Sequence, residues 1–228
     1  MDILEIKNQH LSLLLSDHYV CEYCHFVDRD KGRSCSGHKC NVCGTPGERG
    51  KLYFPFNIHT LINLMQEAYH STTAANTTNS YNTGRDSHNI SIILFFCTLR
   101  ESLLYNLVHE LCISQKITEN IFDRLFSDNK FHKQKQDKLF PSLTNTKWKD
   151  AIKDVDGEEL DFKTLDDFIV SVVQSRNRFV HSGSKYGISE EMPENCIRNI
   201  GKLITLYVKL HNKYAHPEYL SDKTSKIL

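Results

Sequence analysis

Apolar residues recur along most of this chain at intervals of three and four, the spacing that lines up one face of an α-helix. Over 1–16 the stripe is Leu4, Leu11, Leu14 and Leu15. Over 57–70 it is Ile58, Leu61, Ile62, Met65 and Tyr69, with Asn57 placed to cap the first turn. Over 89–113 it is Ile93, Phe96, Leu103, Leu107 and Leu111, behind a cap at Asn89 or Ser91. The first half of that segment is apolar nearly all round, which marks it as a central helix surrounded by others. A short amphipathic piece follows over 117–127 (Ile121, Phe122, Leu125, Phe126). Over 164–182 a broad face carries Leu165, Phe168, Ile169, Val172, Val173, Phe179 and Val180 and meets Gly183, a natural helix stop. The last segment, 190–213, carries Ile197, Ile200, Ile204, Leu206, Tyr207 and Leu210 ahead of Pro217. The pattern predicts an all-α bundle of four or five helices.

Two stretches break it. Residues 19–50 hold Gly32, Gly37, Gly44, Gly47, Gly50 and Pro46, turn formers that leave too few apolar positions for a core of their own. Residues 71–88 contain 11 Ser, Thr or Asn among 18 positions and read as a solvated linker or loop. The chain thus divides into an amino-terminal helix and cysteine-rich module, 1–52, and a helical domain, 53–228, with a polar loop at 71–88.

Composition narrows the function classes. Of 228 residues 39% are hydrophobic and 25% charged, an ordinary globular balance. The 28 basic and 28 acidic side chains cancel, so any polyanion site is a local patch. The longest unbroken apolar run, Ile92 to Cys97, is far short of the roughly 20 residues that span a bilayer. The first ten residues carry acids where a secretory leader is basic. A soluble, cytoplasmic protein without membrane contact is expected.

Cys21, Cys24, Cys35, Cys40 and Cys43 cluster near the amino terminus, whereas Cys97, Cys112 and Cys196 are scattered through apolar stretches. Cys21-x2-Cys24 and Cys40-x2-Cys43, separated by 15 residues, have the spacing of a tetrahedral zinc site. Two residues between thiolates let one tight turn present both sulfurs at about 2.3 Å from an ion, and two such turns close the tetrahedron. Gly44 suits the positive-φ position that such a turn requires. Cys35 and His38 form a rival pair, so the ligand set stays open between them and the outer four cysteines. A four-thiolate zinc site is closed and structural; it has no open position for catalysis. No H-E-x-x-H run is present to suggest a zinc hydrolase.

Near the end of the predicted 164–182 helix stands Arg176-Asn177-Arg178-Phe179-Val180-His181. An Arg and a His five apart is a weak signal, and Arg33 with His38 forms a second. Context separates the two. Arg176 follows Val172 by one turn beside an apolar stripe, where a guanidinium needs a partner or an interface. Asn177 and His181 share a helix face. A plain alternative is that both cations oppose the helix dipole. The motif, its place before Gly183 and the order of helices resemble the HEPN superfamily, compact helical bundles whose nuclease members carry Arg, a polar residue, three variable residues and His.

That resemblance covers about residues 55–215 and leaves the cysteine module outside. It implies metal-independent RNA cleavage with catalytic residues Arg176, Asn177 and His181, paired across a homodimer interface. The products would carry 2′,3′-cyclic phosphate and 5′-hydroxyl ends. Use in defence or as a toxin, with a regulatory or antitoxin partner, is implied by the family alone. In HEPN toxins silenced by nucleotide transfer, a Tyr stands two residues beyond the His; Gly183 stands there in this chain. Glu101, midway along the central helix, either pairs with Arg176 or is an ordinary exposed glutamate. The competing function is a non-catalytic, zinc-stabilised adaptor that binds RNA or dimerises.

Residues 129–149 carry six lysines with Phe131, Phe140 and Trp148 interleaved. Lysines on phosphates beside an aromatic platform is a single-strand RNA arrangement, so Lys133, Lys135, Lys138 and Trp148 are candidate RNA contacts. The alternative is solvated lysines around core aromatics. Residues 154–167 are acidic, and Asp166 and Asp167 are expected in the first turn of the motif helix.

Overall fold

The computed structural model of the protein describes residues 18–21, 24–29, 40, 42–44, 51–75, 83–156, 161–185 and 187–215. The helix expected over 1–16, Cys35, His38 and Arg33 lie outside them. Three short strands come first: β1 (His18–Val20), β2 (Val27–Arg29) and β3 (Lys51–Leu52). Helices follow: α1 (Phe56–Ala75), α2 (Thr83–Ser114) and α3 (Glu119–Asp128). Next, α4 is built of three consecutive pieces, His132–Gln134, a π-helical turn Lys135–Leu139, and Phe140–Thr144. Then come α5 (Trp148–Val155), α6 (Phe162–Ser182), α7 (Met192–Arg198) and α8 (Ile200–Tyr214). The architecture is predominantly helical, as the apolar spacing predicts.

Helix α2 is the axis of the bundle. Ile92, Ile93, Phe96, Cys97, Leu99, Leu103, Leu104, Leu107, Val108, Leu111 and Cys112 are all buried, because α1, α6, α7 and α8 pack around it. Among the described residues α2 is also the helix long and apolar enough to cross a membrane. Its apolar window is 56% buried inside the protein, which accounts for that composition and is compatible with a soluble protein.

The polar stretch 71–88 is more ordered than expected. Helix α1 continues to Ala75 and α2 starts at Thr83, so only 76–82 remain between them, outside the described residues. The hydroxyls of Ser71 and Thr72 donate to the carbonyls of Glu67 (2.9 Å) and Ala68 (3.0 Å), and Ser91 donates to Ser87 (2.8 Å). Hydroxyls satisfied within their own helix do not pull the backbone out of it.

Two boundaries also move. The segment expected as one helix over 190–213 is α7 and α8, with Asn199 between them at φ −89°, ψ −1°. Its side-chain amide donates to the Asn195 carbonyl at 2.8 Å. Helix α6 starts at Phe162, earlier than expected, because Asp161 takes a left-handed conformation and its carboxylate accepts from the Thr164 N–H at 3.1 Å. Asp166 and Asp167 therefore lie beyond the first turn, and Asp161 is the residue that caps the helix. At the other end Gly183 (φ +64°) donates its N–H to the Phe179 carbonyl at 2.8 Å, the stop its position predicts.

The strands form one antiparallel sheet in the order β2-β1-β3, with Tyr19 opposite Asp28 and opposite Leu52. This sheet does not stand alone. Val20 and Val27 join Tyr53, Phe54 and Ile58 in the main core. Polar contacts fasten it to α8: Asn212 donates to the Val27 carbonyl and accepts from the Val27 N–H, both at 2.8 Å, so its amide imitates a neighbouring strand. One residue before it, the His211 Nε2 lies 2.9 Å from the His25 carbonyl. Replacing Asn212 with Leu strands both backbone groups of Val27, a loss of about 1–3 kcal/mol. Thermal denaturation should show it, together with faster hydrogen exchange at Val27; unchanged protection there would mean that the sheet is held by packing alone.

Candidate functional site

The two cysteine knuckles are built alike. In each, the N–H of the residue after the second cysteine turns back to the carbonyl of the first: His25 to Cys21 at 2.7 Å, Gly44 to Cys40 at 2.9 Å. Both closing residues are left-handed, His25 at φ +56° and Gly44 at +66°. The Sγ atoms of Cys21, Cys24, Cys40 and Cys43 all lie within 4.8 Å of one another, with Cys24 and Cys40 at 3.5 Å and Cys21 and Cys43 at 3.8 Å. A tetrahedron with metal–sulfur bonds of about 2.3 Å has edges near 3.8 Å. The four thiols are thus placed to hold one metal ion, and their chemistry is compatible with structural zinc. Burial pushes the Cys24 thiol well above its usual range. A bound cation reverses that cost, since it favours the thiolate.

The second site lies where α6 meets the middle of α2. Arg176, one turn after the buried Val172, reaches across to Glu101, and its guanidinium donates to the carboxylate at 2.6 Å. The same guanidinium donates to the Asn177 side-chain carbonyl at 3.0 Å. Glu101 is both exposed and paired. His181 is exposed on the last turn of α6, ahead of Gly183. Five residues round a helix put about 140° between two side chains. Arg176 can therefore face α2 while His181 faces solvent.

Behind Arg176 stands a group that motif reading misses. Arg100 is buried (8% exposed) and donates to the Gln136 side-chain carbonyl of α4 at 3.0 Å. His132, one turn before Gln136, shares its face. Burial holds that imidazole far below its usual range, down to about 3, and the nearby charges of Arg100, Lys135 and Arg176 press in the same direction. Burial likewise raises the Cys97 thiol to about 11, while Arg176 and Arg100 pull it part of the way back. Asp166 on α6 is raised by burial, and the Arg100 charge pulls it part of the way back. No spacing rule joins residues 97, 100, 132, 136 and 176; only the packing of α2, α4 and α6 does.

The candidate RNA contacts divide. Lys133 and Lys138 are exposed. Lys135 turns back, its Nζ donating to the Lys130 carbonyl at 2.8 Å and lying 5.3 Å above the Phe126 ring. Trp148 is buried, edge-on to Phe140 with ring centres 5.1 Å apart, so it offers no face to a base; it belongs to the core. Phe131, 71% exposed, is the aromatic of this stretch that meets solvent. The acids beyond it are partly structural, since Asp156 and Asp161 accept from backbone N–H groups at the start of α6.

No family model, no curated protein and no solved structure matches this chain. The likeness to HEPN proteins therefore rests on the residues themselves. For the cysteine centre, the purified protein should bind one metal ion per chain, and cobalt should give the visible absorption of a tetrahedral thiolate site. Cys24→Ser should abolish both and lower the melting temperature, whereas Cys35→Ser should leave them intact. Loss of binding in Cys35→Ser would put the rival pair among the ligands.

Proposed function

We propose that this chain is a cytoplasmic, metal-independent endoribonuclease of HEPN type that works as a homodimer, with zinc in its thiolate centre as a structural element. The observation that carries the reading is the joint placement of Arg176, Asn177 and Glu101 at the α6–α2 contact, with His181 open to solvent on the next turn. Arg176 would seat the scissile phosphate and stabilise the charge that grows on it in the transition state. An imidazole can both accept and donate a proton, so His181 would take the 2′-hydroxyl proton or give one to the departing 5′-oxygen. Asn177, bonded to Arg176, would orient the guanidinium. The angular separation of Arg176 and His181 favours a composite site, in which each chain supplies one of the two groups. Lys133 and Lys138 would guide the strand. Defence or toxin use, and a regulatory or antitoxin partner, follow from the family resemblance alone.

A second reading draws on the same ion pair. Arg176 is already engaged by Glu101 and Asn177, as it would be in a non-catalytic adaptor where the motif only fastens α6 to α2. Incubation with labelled RNA, in buffer free of magnesium and manganese, separates the two. Cleavage should leave 2′,3′-cyclic phosphate ends, DNA of the same sequence should stay intact, and Arg176→Ala or His181→Ala should each slow the reaction by about 10²-fold or more. Wild-type rates in both variants would end the nuclease reading.

A further inference from the structure

The seam between α2, α4 and α6 gathers more positive charge than its acids cancel. Arg100 and Glu101 come from α2, Arg176 from α6, and His132, Lys135 and Gln136 from α4. The side-chain bonds here include Arg100 to Gln136, a neutral amide, and Arg176 to Glu101, a carboxylate 47% exposed. A guanidinium as buried as that of Arg100 ordinarily meets a full counter-charge. Asp166 of α6 is the acid whose charge reaches it, and burial raises that carboxyl, so Arg100, Arg176 and Lys135 face two acids, Glu101 and Asp166.

Two further features mark the α4 side. The His132 Nε2 is buried and has no hydrogen-bond partner among the described residues, an arrangement that ordinarily costs stability. It stands at the head of the π-helical turn Lys135–Leu139, from which Gln136 meets Arg100 of α2 and Lys135 lies over the Phe126 ring of α3. Such turns inside α-helices recur at functional sites. An orphaned ring nitrogen, a buried guanidinium and a lysine thus converge on the place where Arg176 is held by a displaceable carboxylate.

We propose that this seam is a binding site for a phosphate group, with His132, Lys135 and Arg100 seating it beside Arg176, and with Glu101 holding the place of the anion until it arrives. Phosphate oxygens would accept from Arg176 and Lys135 at the mouth and from Arg100 within. With its proton on Nε2, the neutral His132 ring donates the remaining bond, so the orphaned nitrogen becomes a satisfied one. The surrounding cations keep that ring from competing as a fourth positive charge. Glu101 swings outward into solvent, which its exposure allows. The inference rests on the nuclease reading only for what carries the phosphate, namely an RNA backbone.

Titration of the full chain with inorganic phosphate, at constant ionic strength held with chloride and read by calorimetry, tests it. Lys135→Gln and His132→Phe should each weaken binding by about tenfold, the loss of one charge-assisted bond. Glu101→Gln should instead tighten it by roughly threefold or more, because the competing carboxylate is gone. No binding by the wild type, equal binding in Lys135→Gln, or weaker binding in Glu101→Gln would each overturn the site. Lys135 and Glu101 reach solvent, so these two variants decide the matter even if His132→Phe fails to fold. No RNA enters the titration: phosphate binding without RNA cleavage keeps this site and sinks the nuclease reading, and cleavage without phosphate binding does the reverse.

Discussion

A guanidinium buried halfway along the central helix constrains everything packed around it. Arg100 cannot leave water without hydrogen bonds and a nearby negative charge. The fold supplies Gln136 from α4, at 3.0 Å, and Asp166 from α6. Both helices are thereby drawn onto the same turn of α2, the former through its π-helical widening. Trp148 is buried beside Phe140 and Tyr207, which is why this aromatic lies in the core. Arg176 arrives on α6 beside this seam and finds Glu101, the residue next to Arg100. The candidate active site is thus the solvent edge of a polar seam that the bundle needs for its own packing.

The cysteine module obeys a different constraint. With few apolar residues it cannot hold itself together by burial, and metal–thiolate bonds of the kind its four cysteines allow can supply roughly 10–16 kcal/mol of folding free energy. The module is not a separate bead. Val20 and Val27 enter the bundle core, and Asn212 and His211 bond its backbone, so the cysteine knuckles are fastened to α8.

Much of this was legible in residue spacing. The helices over 57–70, 89–113 and 164–182 lie within α1, α2 and α6, and that over 117–127 overlaps α3 from Glu119 onward, because a three-and-four repeat of large apolar residues has one stable way to be buried. Gly183 and Gly44 take the left-handed conformations that their positions called for. Other features depended on what side chains bond to locally. Ser71 and Thr72 look like linker residues, yet they sit in a helix by donating to their own backbone. Asn199 marks a break that no apolar gap announces.

By itself, then, the order of residues determined the helices, the paired cysteine knuckles and the motif on α6, since each arises from neighbours a few positions apart. Tertiary structure alone decided that Trp148 is core, that Lys135 lies over the Phe126 ring, and that His132, Arg100 and Arg176 share one seam. Those residues are separated by dozens of positions, and burial and charge compensation act through space, where no periodicity along the chain records them.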